Sequence, residues 1–203
     1  MTIFDDPDGY RRWYISHNVT YENERKAVEQ FKLRDCLDIG SGPSIFHESM
    51  GGNIISLDIS EFVLQRIEGD KVQADAHYLP FRDGAFPCIF TSVTICFMDK
   101  LEEFMREVER VTKDHFVGCI VKADSSWGQF YTELGKKGHK YYSHAHFITG
   151  EEFVKLVNKF FEIDRIVSTL RYNPNGTEVP ETPQEGGDGA FVCVKGVKRG
   201  SRI

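Results

Sequence analysis

The chain has 203 residues, 40% of them hydrophobic and 16 of them Phe, enough apolar surface for the core of one ordinary domain. Its formal net charge is -6, so it lacks the overall basic field that draws a protein to nucleic acid. No apolar run approaches the roughly 18–20 residues that a membrane span requires, and Met1-Thr2-Ile3-Phe4-Asp5-Asp6 does not read as a signal peptide. The five cysteines, Cys36, Cys88, Cys96, Cys119 and Cys193, are an odd number without a C-x-x-C spacing. They are expected as reduced, buried thiols of a cytoplasmic protein.

In chain order, residues 4–31 come first. Tyr10, Trp13, Tyr14 and Tyr21 crowd together here, and Thr20 is placed to cap a helix running to about Phe31. So aromatic a segment either packs on a sheet edge or closes over a ligand. A short buried strand follows at 35–39 and breaks at Gly40. Gly40 and Gly42 permit a sharp turn and a close approach to a ligand, because neither carries a Cβ. A very short helix around 44–50 leads to a second strand, 54–58, which ends in Asp58. Strand, glycine turn, short helix and strand-end carboxylate form a nucleoside-binding unit.

Ser60 then caps a helix carrying Phe62, Val63 and Ile67, and a strand at 71–74 precedes Asp75-Ala76. Residues 88–93 are a further buried strand. Asp99-Lys100-Leu101-Glu102 reads as a capping box for a helix whose Leu101, Phe104, Met105, Val108 and Val111 share one stripe. A fifth strand spans 116–121, and 125–146 reads as irregular, rich in Trp, Tyr and His. Thr149-Gly150-Glu151-Glu152 is a second capping box, followed by strands at 161–170 and 191–197 with a loop between them. Strands alternating with helices predict a parallel sheet covered on both faces. The helix-free final pair predicts an antiparallel last strand.

With Asp38-Ile39-Gly40-Ser41-Gly42, Asp58, Asp75-Ala76 and the strand at 88–93 in place, the chain resembles the class I S-adenosylmethionine-dependent methyltransferases. It is similar to the type 11, quinone-biosynthesis-like group and to small thermophile methyltransferases of unassigned substrate. The resemblance implies an α/β, Rossmann-like three-layer sandwich. Its seven-stranded, mostly parallel sheet has the order 3-2-1-4-5-7-6 with the last strand antiparallel. It implies a single methyltransferase domain over 1–203, with an N-terminal helical lid at 4–31 and an acceptor-site insertion at 125–147.

Carried over by position, the resemblance places Asp38 near the amino group of the cofactor's methionine part, with Gly40, Ser41 and Gly42 passing beneath it. Asp58 takes the ribose hydroxyls and Ile59 lies along the adenine. Asp75 accepts from the adenine amine, Ala76 offers its backbone N–H, and Thr91 and Ser92 flank the methyl group. The chain departs from the pattern at Ser44, where the family has a third glycine, at Pro87, where an Asp is usual, and at Cys96-Phe97, where many relatives have His.

The implied activity is in-line transfer of a methyl group from S-adenosylmethionine to a small-molecule acceptor, leaving S-adenosylhomocysteine. The alternative is a non-catalytic S-adenosylmethionine-binding subunit that supports a partner protein. A dehydrogenase reading is disfavoured because Ile45 stands where G-x-G-x-x-G needs its last glycine. Thr91-Ser92-Val93-Thr94 lacks the Asn/Asp-Pro-Pro-aromatic pattern of enzymes that methylate base amino groups, which with the charge argues against nucleic acid. His144, His146 and His17 are the candidate bases. In an extended segment His144 and His146 point the same way, yet no third ligand is visible and no metal is expected. A monomer or homodimer without a membrane partner completes the reading.

Overall fold

The computed structural model describes residues 4–200; the first and last three residues of the expected single domain lie outside them. The chain runs α1 (Pro7–Ser16), α2 (Asn18–Glu29), β1 (Cys36–Ile39), β2 (Ile55–Asp58), α3 (Glu61–Leu64), β3 (Lys71–Gln73) and β4 (Phe86–Ser92). It continues with α4 (Leu101–Val111), β5 (Thr112–Val121), α5 (Ser126–Lys136), α6 (Gly150–Phe160), β6 (Glu162–Thr169), β7 (Gln184–Glu185) and β8 (Phe191–Val197).

One sheet has the order β3-β2-β1-β4-β5-β8-β6-β7. Strands β3 to β5 pair in parallel, and β8 inserts antiparallel between β5 and β6. This is the expected Rossmann-like sandwich with one strand more. The extra strand, β7, pairs Ser168 with Gln184 and Val167 with Glu185 inside what reads in sequence as a loop. Two polar residues leave no periodicity to detect.

Alternate residues of each strand face opposite layers. Leu37, Ile39, Ile89 and Phe116 pack against Phe104 and Val108 of α4 and Phe153 and Val157 of α6. Cys36, Cys88, Phe90, Val117 and Cys119 face Ala27 and Val28 of α2 and Trp127 and Tyr131 of α5. Pro87 sits inside β4, where the pairing with β5 shifts register between Phe86 and Cys88. A residue without an N–H is tolerated at such an irregularity.

Several local expectations are corrected. Residues 4–31 form two helices, and Thr20 lies within the second rather than capping it. Its hydroxyl is 2.7 Å from that of Tyr172. Asp99 does not cap α4, whose N-cap is Lys100 without a side-chain bond. The second capping box is present, with Thr149 and Glu152 bonding reciprocally. The segment read as irregular after residue 125 contains α5, capped by the Ser125 hydroxyl accepting from the Gly128 N–H. The cysteines are also corrected. Cys36 and Cys88 are register partners on β1 and β4, Cys119 and Cys193 on β5 and β8, and each pair is a disulfide; Cys96 is the free thiol. With four of the five cysteines bonded, they no longer point to a reducing compartment. Among the described residues, no helix is long and apolar enough to cross a membrane.

Candidate active site

The carboxyl ends of β1, β2 and β4 open into a cavity of about 1220 Å³, roofed by α1 and α2 and walled by α5. Its volume exceeds the roughly 300–1,000 Å³ of a pocket for one drug-sized ligand, so it has room for two.

At the end of β1 the chain turns with Gly40 at φ +68°, Gly42 at +51° and Ser44 at +58°. The Gly40 and Ser41 N–H groups both donate to Leu57 O, at 2.7 and 3.1 Å, which straps the turn to β2. A Cβ on Gly40 would overlap the Thr94 side chain, whereas one on Gly42 would meet no protein atom within 4 Å. Gly40 is thus required by the protein, while Gly42 borders open space. Ser44 keeps the left-handed backbone of the glycine it replaces, which costs a residue with a Cβ on the order of 1 kcal/mol.

Asp58 is anchored to this turn. Its Oδ2 accepts from the Gly42 N–H at 3.1 Å and its Oδ1 from the Ser60 N–H at 2.9 Å. Burial pushes its carboxyl above the ordinary range, and these two bonds work in the opposite direction. A carboxylate has about four acceptor sites, so two such bonds leave room for hydroxyl donors. Asp38, also buried, is 2.8 Å from His47 Nε2. Burial raises it as well, and His47 draws it back down. Burial opposes the charge on Asp75, but the His77 backbone N–H at 2.9 Å and ring Nδ1 at 2.7 Å hold its carboxyl below the usual value. Beside these acids Ile59 and Phe62 are about half exposed at the cavity rim, and Ala76 is buried in its wall.

Of the residues expected from sequence, Asp38, Gly40, Ser41, Gly42, Asp58, Ile59, Asp75, Ala76, Ser92 and His17 line this one cavity. Thr91 does not. Its hydroxyl points away, donates to Ile39 O at 2.8 Å and ties β4 to β1. His144 and His146 are exposed and stand outside the cavity, because Tyr142–His144 is a 3-10 turn rather than the extended segment that would align them. His17 stacks on Trp13 with ring centroids 4.3 Å apart, and its Nδ1 is 2.9 Å from Trp13 O. Sequence reasoning missed His47, His77 and Glu24. His47 and His77 carried a usable signal, each lying close after a strand-end acid; Glu24 carried none.

Three buried polar atoms of the described residues have no hydrogen-bond partner: Ser41 Oγ, Ser92 Oγ and His77 Nε2. All three residues line the cavity. Orphaned polar atoms beside two acids and an open glycine turn fit a ligand with both polar and nucleoside parts. A family model for a methyltransferase domain matches residues 37–115, the stretch that builds this turn and both strand-end acids. These residues form a methyltransferase domain of the S-adenosylmethionine-dependent kind. Its cofactor is S-adenosylmethionine.

Among solved structures, this methyltransferase domain is similar to a SAM-dependent methyltransferase from Thermotoga maritima, described as a possible histamine N-methyltransferase. The two share 28% identity, with 97% of this chain and 98% of that one covered and a TM-score of 0.87. Among curated proteins it is similar to the malonyl-[acyl-carrier protein] O-methyltransferase of Legionella pneumophila. The identity is 27% over 111 residues, which cover 48% of this chain and 38% of that protein. A stretch of 86 residues is 34% identical to the biotin biosynthesis bifunctional protein BioHC of Cellvibrio japonicus, covering 38% of this chain and 17% of that protein. The matches therefore span well under half the length of either curated relative.

Proposed function

We propose that the chain transfers a methyl group from S-adenosylmethionine to a small-molecule acceptor held beneath α1 and α2. The observation that carries this reading is the single cavity that runs from Asp58 and Asp75 at one end to the Tyr10, Trp13 and Tyr14 wall at the other. One space thus joins a nucleoside end to an aromatic end, and the methionine-facing groups lie between them.

In this reading Asp58 accepts the ribose hydroxyls, and Ile59 with Phe62 covers the adenine. Asp75 accepts from the adenine amine, beside the Ala76 N–H. The Ser41 and Ser92 hydroxyls and Asp38 hold the amino acid part of the cofactor. The cofactor supplies an electrophilic methyl group on a sulfonium whose leaving form is neutral. The chain's task is then alignment of the acceptor and exclusion of water rather than strong acid or base chemistry.

Helix α1 and the residues before it act as the lid, since Ala27 and Val28 hold α2 on the sheet. Arg66 pairs with Asp8 at 3.3 Å, the Tyr141 hydroxyl reaches Asp6 O at 3.5 Å, and Lys140 pairs with Asp5. Exposed pairs of this kind are worth roughly 0–1 kcal/mol each, so the closure they hold is reversible. The aromatic lining of the cavity speaks against the alternative of a non-catalytic supporting subunit. Calorimetry with S-adenosylhomocysteine, followed by a methyl-donor screen over amines, thiols, phenols and quinones read by S-adenosylhomocysteine release, tests the proposal. Cofactor binding with one acceptor class turned over is the expected result; no binding would sink it.

A further inference from the structure

Helix α2 turns three buried polar side chains inward, Thr20, Asn23 and Glu24. Two of them are satisfied by the segment after β6. Thr20 Oγ1 meets the Tyr172 hydroxyl at 2.7 Å. Asn23 donates to Val179 O at 2.8 Å and accepts from the Glu181 N–H at 2.7 Å. Glu24 is placed differently. It is 3% exposed, it lines the cavity, and its hydrogen-bond partner among the described residues is the Tyr14 hydroxyl, which donates at 3.0 Å. No Lys, Arg or His of the described residues pairs with it.

A carboxylate taken out of water without a counter-charge is costly, and buried charges are as a rule paired. The fold supplies no partner, but the cavity has space for one. The cavity wall is aromatic, with Trp13 and Trp127 among its residues, and Tyr10 and Tyr14 from α1, Tyr131 from α5 and Tyr142 from the turn beyond it are the rings that feel the charge of Glu24. The faces of such rings attract organic cations, and one buried carboxylate among them favours an ammonium over a neutral molecule. Resting on the methyltransferase reading above, we infer that the methyl acceptor is a small organic amine, bound as its ammonium, with Glu24 as its anchor and proton acceptor.

The step balances. An N–H bond of the ammonium breaks, its proton passes to a Glu24 oxygen, and the electron pair stays on nitrogen. That pair forms the new N–C bond as the S–C bond breaks toward sulfur. The positive charge ends on the methylated nitrogen, and the neutral Glu24 acid returns its proton to water when the product leaves. The geometry suits this exchange. Tyr14 fixes the carboxyl, and Tyr10, whose hydroxyl is 3.3 Å from that of Tyr14, feels the charge of both Glu24 and Asp38, so the acceptor end adjoins the donor end.

Burial pushes Glu24 up to about 8, against the pull of the Tyr14 bond. A carboxyl poised there exchanges protons with an amine near neutral pH. The titratable groups facing it are Tyr10 and Tyr14 on α1, Tyr131 on α5, Tyr142 and Tyr172, all of whose phenols burial raises further. His17 and His139 line the same cavity, and Glu178 and Glu181 lie behind α2.

The test is calorimetry on protein saturated with S-adenosylhomocysteine. Hexylamine, 2-phenylethylamine and histamine are each titrated beside the alcohol of the same skeleton, and turnover of the amines is then followed with S-adenosylmethionine. At least one amine is expected to bind about a hundredfold tighter than its alcohol, with kcat/KM rising to a limb near pH 8. Glu24→Gln is expected to erase that preference and the limb while leaving S-adenosylhomocysteine affinity within about threefold, since Gln keeps the shape of the side chain but carries no charge to pair with an ammonium. Tyr14→Phe keeps the carboxylate, so it is expected to keep the preference and move the limb to higher pH. It decides the matter if the Gln variant fails to fold. Amines binding no better than alcohols, or a preference that survives Glu24→Gln, would overturn the inference and leave the methyltransferase reading standing. Absence of S-adenosylhomocysteine binding would overturn both.

Discussion

His47 Nε2 lies 2.8 Å from Asp38 Oδ2, and this bond secures the buried acid at the end of β1. Burial favours the neutral form of Asp38, and His47 restores the charged one. Removing His47 therefore raises Asp38 further. If the charge of Asp38 holds the cofactor's amino group, His47→Ala weakens S-adenosylhomocysteine binding roughly tenfold at pH 6, since a hydrogen bond to a charged group is worth about 1.5–3 kcal/mol. The loss shrinks as pH rises and Asp38 ionises unaided. Calorimetry across pH 5.5–8.5 checks it, and an unchanged acid limb would show that the Asp38 charge is not used.

The two glycines of the turn separate structural need from ligand space. Gly40→Ala places a methyl group on the Thr94 side chain at a φ of +68°. Both stability and cofactor binding are expected to fall, with a cost of about 1–3 kcal/mol for the overlap and strain. Gly42→Ala meets no protein atom and carries only the strain of its φ of +51°, so stability falls by about 1 kcal/mol. If that open space holds the cofactor, affinity for S-adenosylhomocysteine falls much further than stability does. A Gly42→Ala protein with full affinity would remove the cofactor from that space.

Glu24 makes stability depend on pH in a direction opposite to that of most acids. Its folded value of about 8 lies above the 4.5 of an ordinary glutamate, so the folded protein holds a proton that the unfolded chain has released. The stabilisation is complete below about pH 4.5 and is lost as pH rises through about 8. Across this window it amounts to at most on the order of 5 kcal/mol. Thermal unfolding is expected to show Tm falling from pH 5 to 9 in the wild type, and far less in Glu24→Gln. Parallel profiles for the two proteins would show that Glu24 is ionised throughout.

The parts of the fold legible in the sequence are those with strong local signals. The buried run before Gly40, the strand ending at Asp58 and the stripe from Leu101 to Val111 each announce themselves through periodicity and a breaker. The donor half of the site follows from them, because strand ends fix its acids. What stayed hidden depends on tertiary packing. Helix α5 carries Gly128 and Gly135, poor helix formers. They are there because a Cβ at either would overlap backbone, that of Lys122 and Ala123 in one case and that of Tyr142 and Ser143 in the other. Glu24 looks in sequence like any exposed charge in Tyr21-Glu22-Asn23-Glu24-Arg25. Only the docking of α2 on the sheet, with Glu22 turned to Arg25 and Glu24 turned inward, tells the two acids apart. His144 and His146 misled because an extended backbone was assumed where a 3-10 turn forms.

The cysteines allow a test of the sheet itself. Scattered in sequence, Cys36 and Cys88 are brought face to face by the parallel pairing of β1 with β4, and Cys119 and Cys193 by the antiparallel pairing of β5 with β8. The bridges close stretches of 52 and 74 residues. Constraining the unfolded chain over such lengths is worth about 2–4 kcal/mol for each bridge. Protein unfolded without reductant is expected to titrate one thiol, that of Cys96, and five after reduction. Reduction should lower Tm by roughly 5–15 °C per bridge, at about 2–4 °C per kcal/mol for a chain of this size. Replacing Cys36 and Cys88 together by Ala is expected to reproduce the loss for one bridge, and in that variant reductant then acts on the Cys119–Cys193 bridge alone. Five thiols titrating without reductant would show that the pairs are neighbours in the sheet and not bonded.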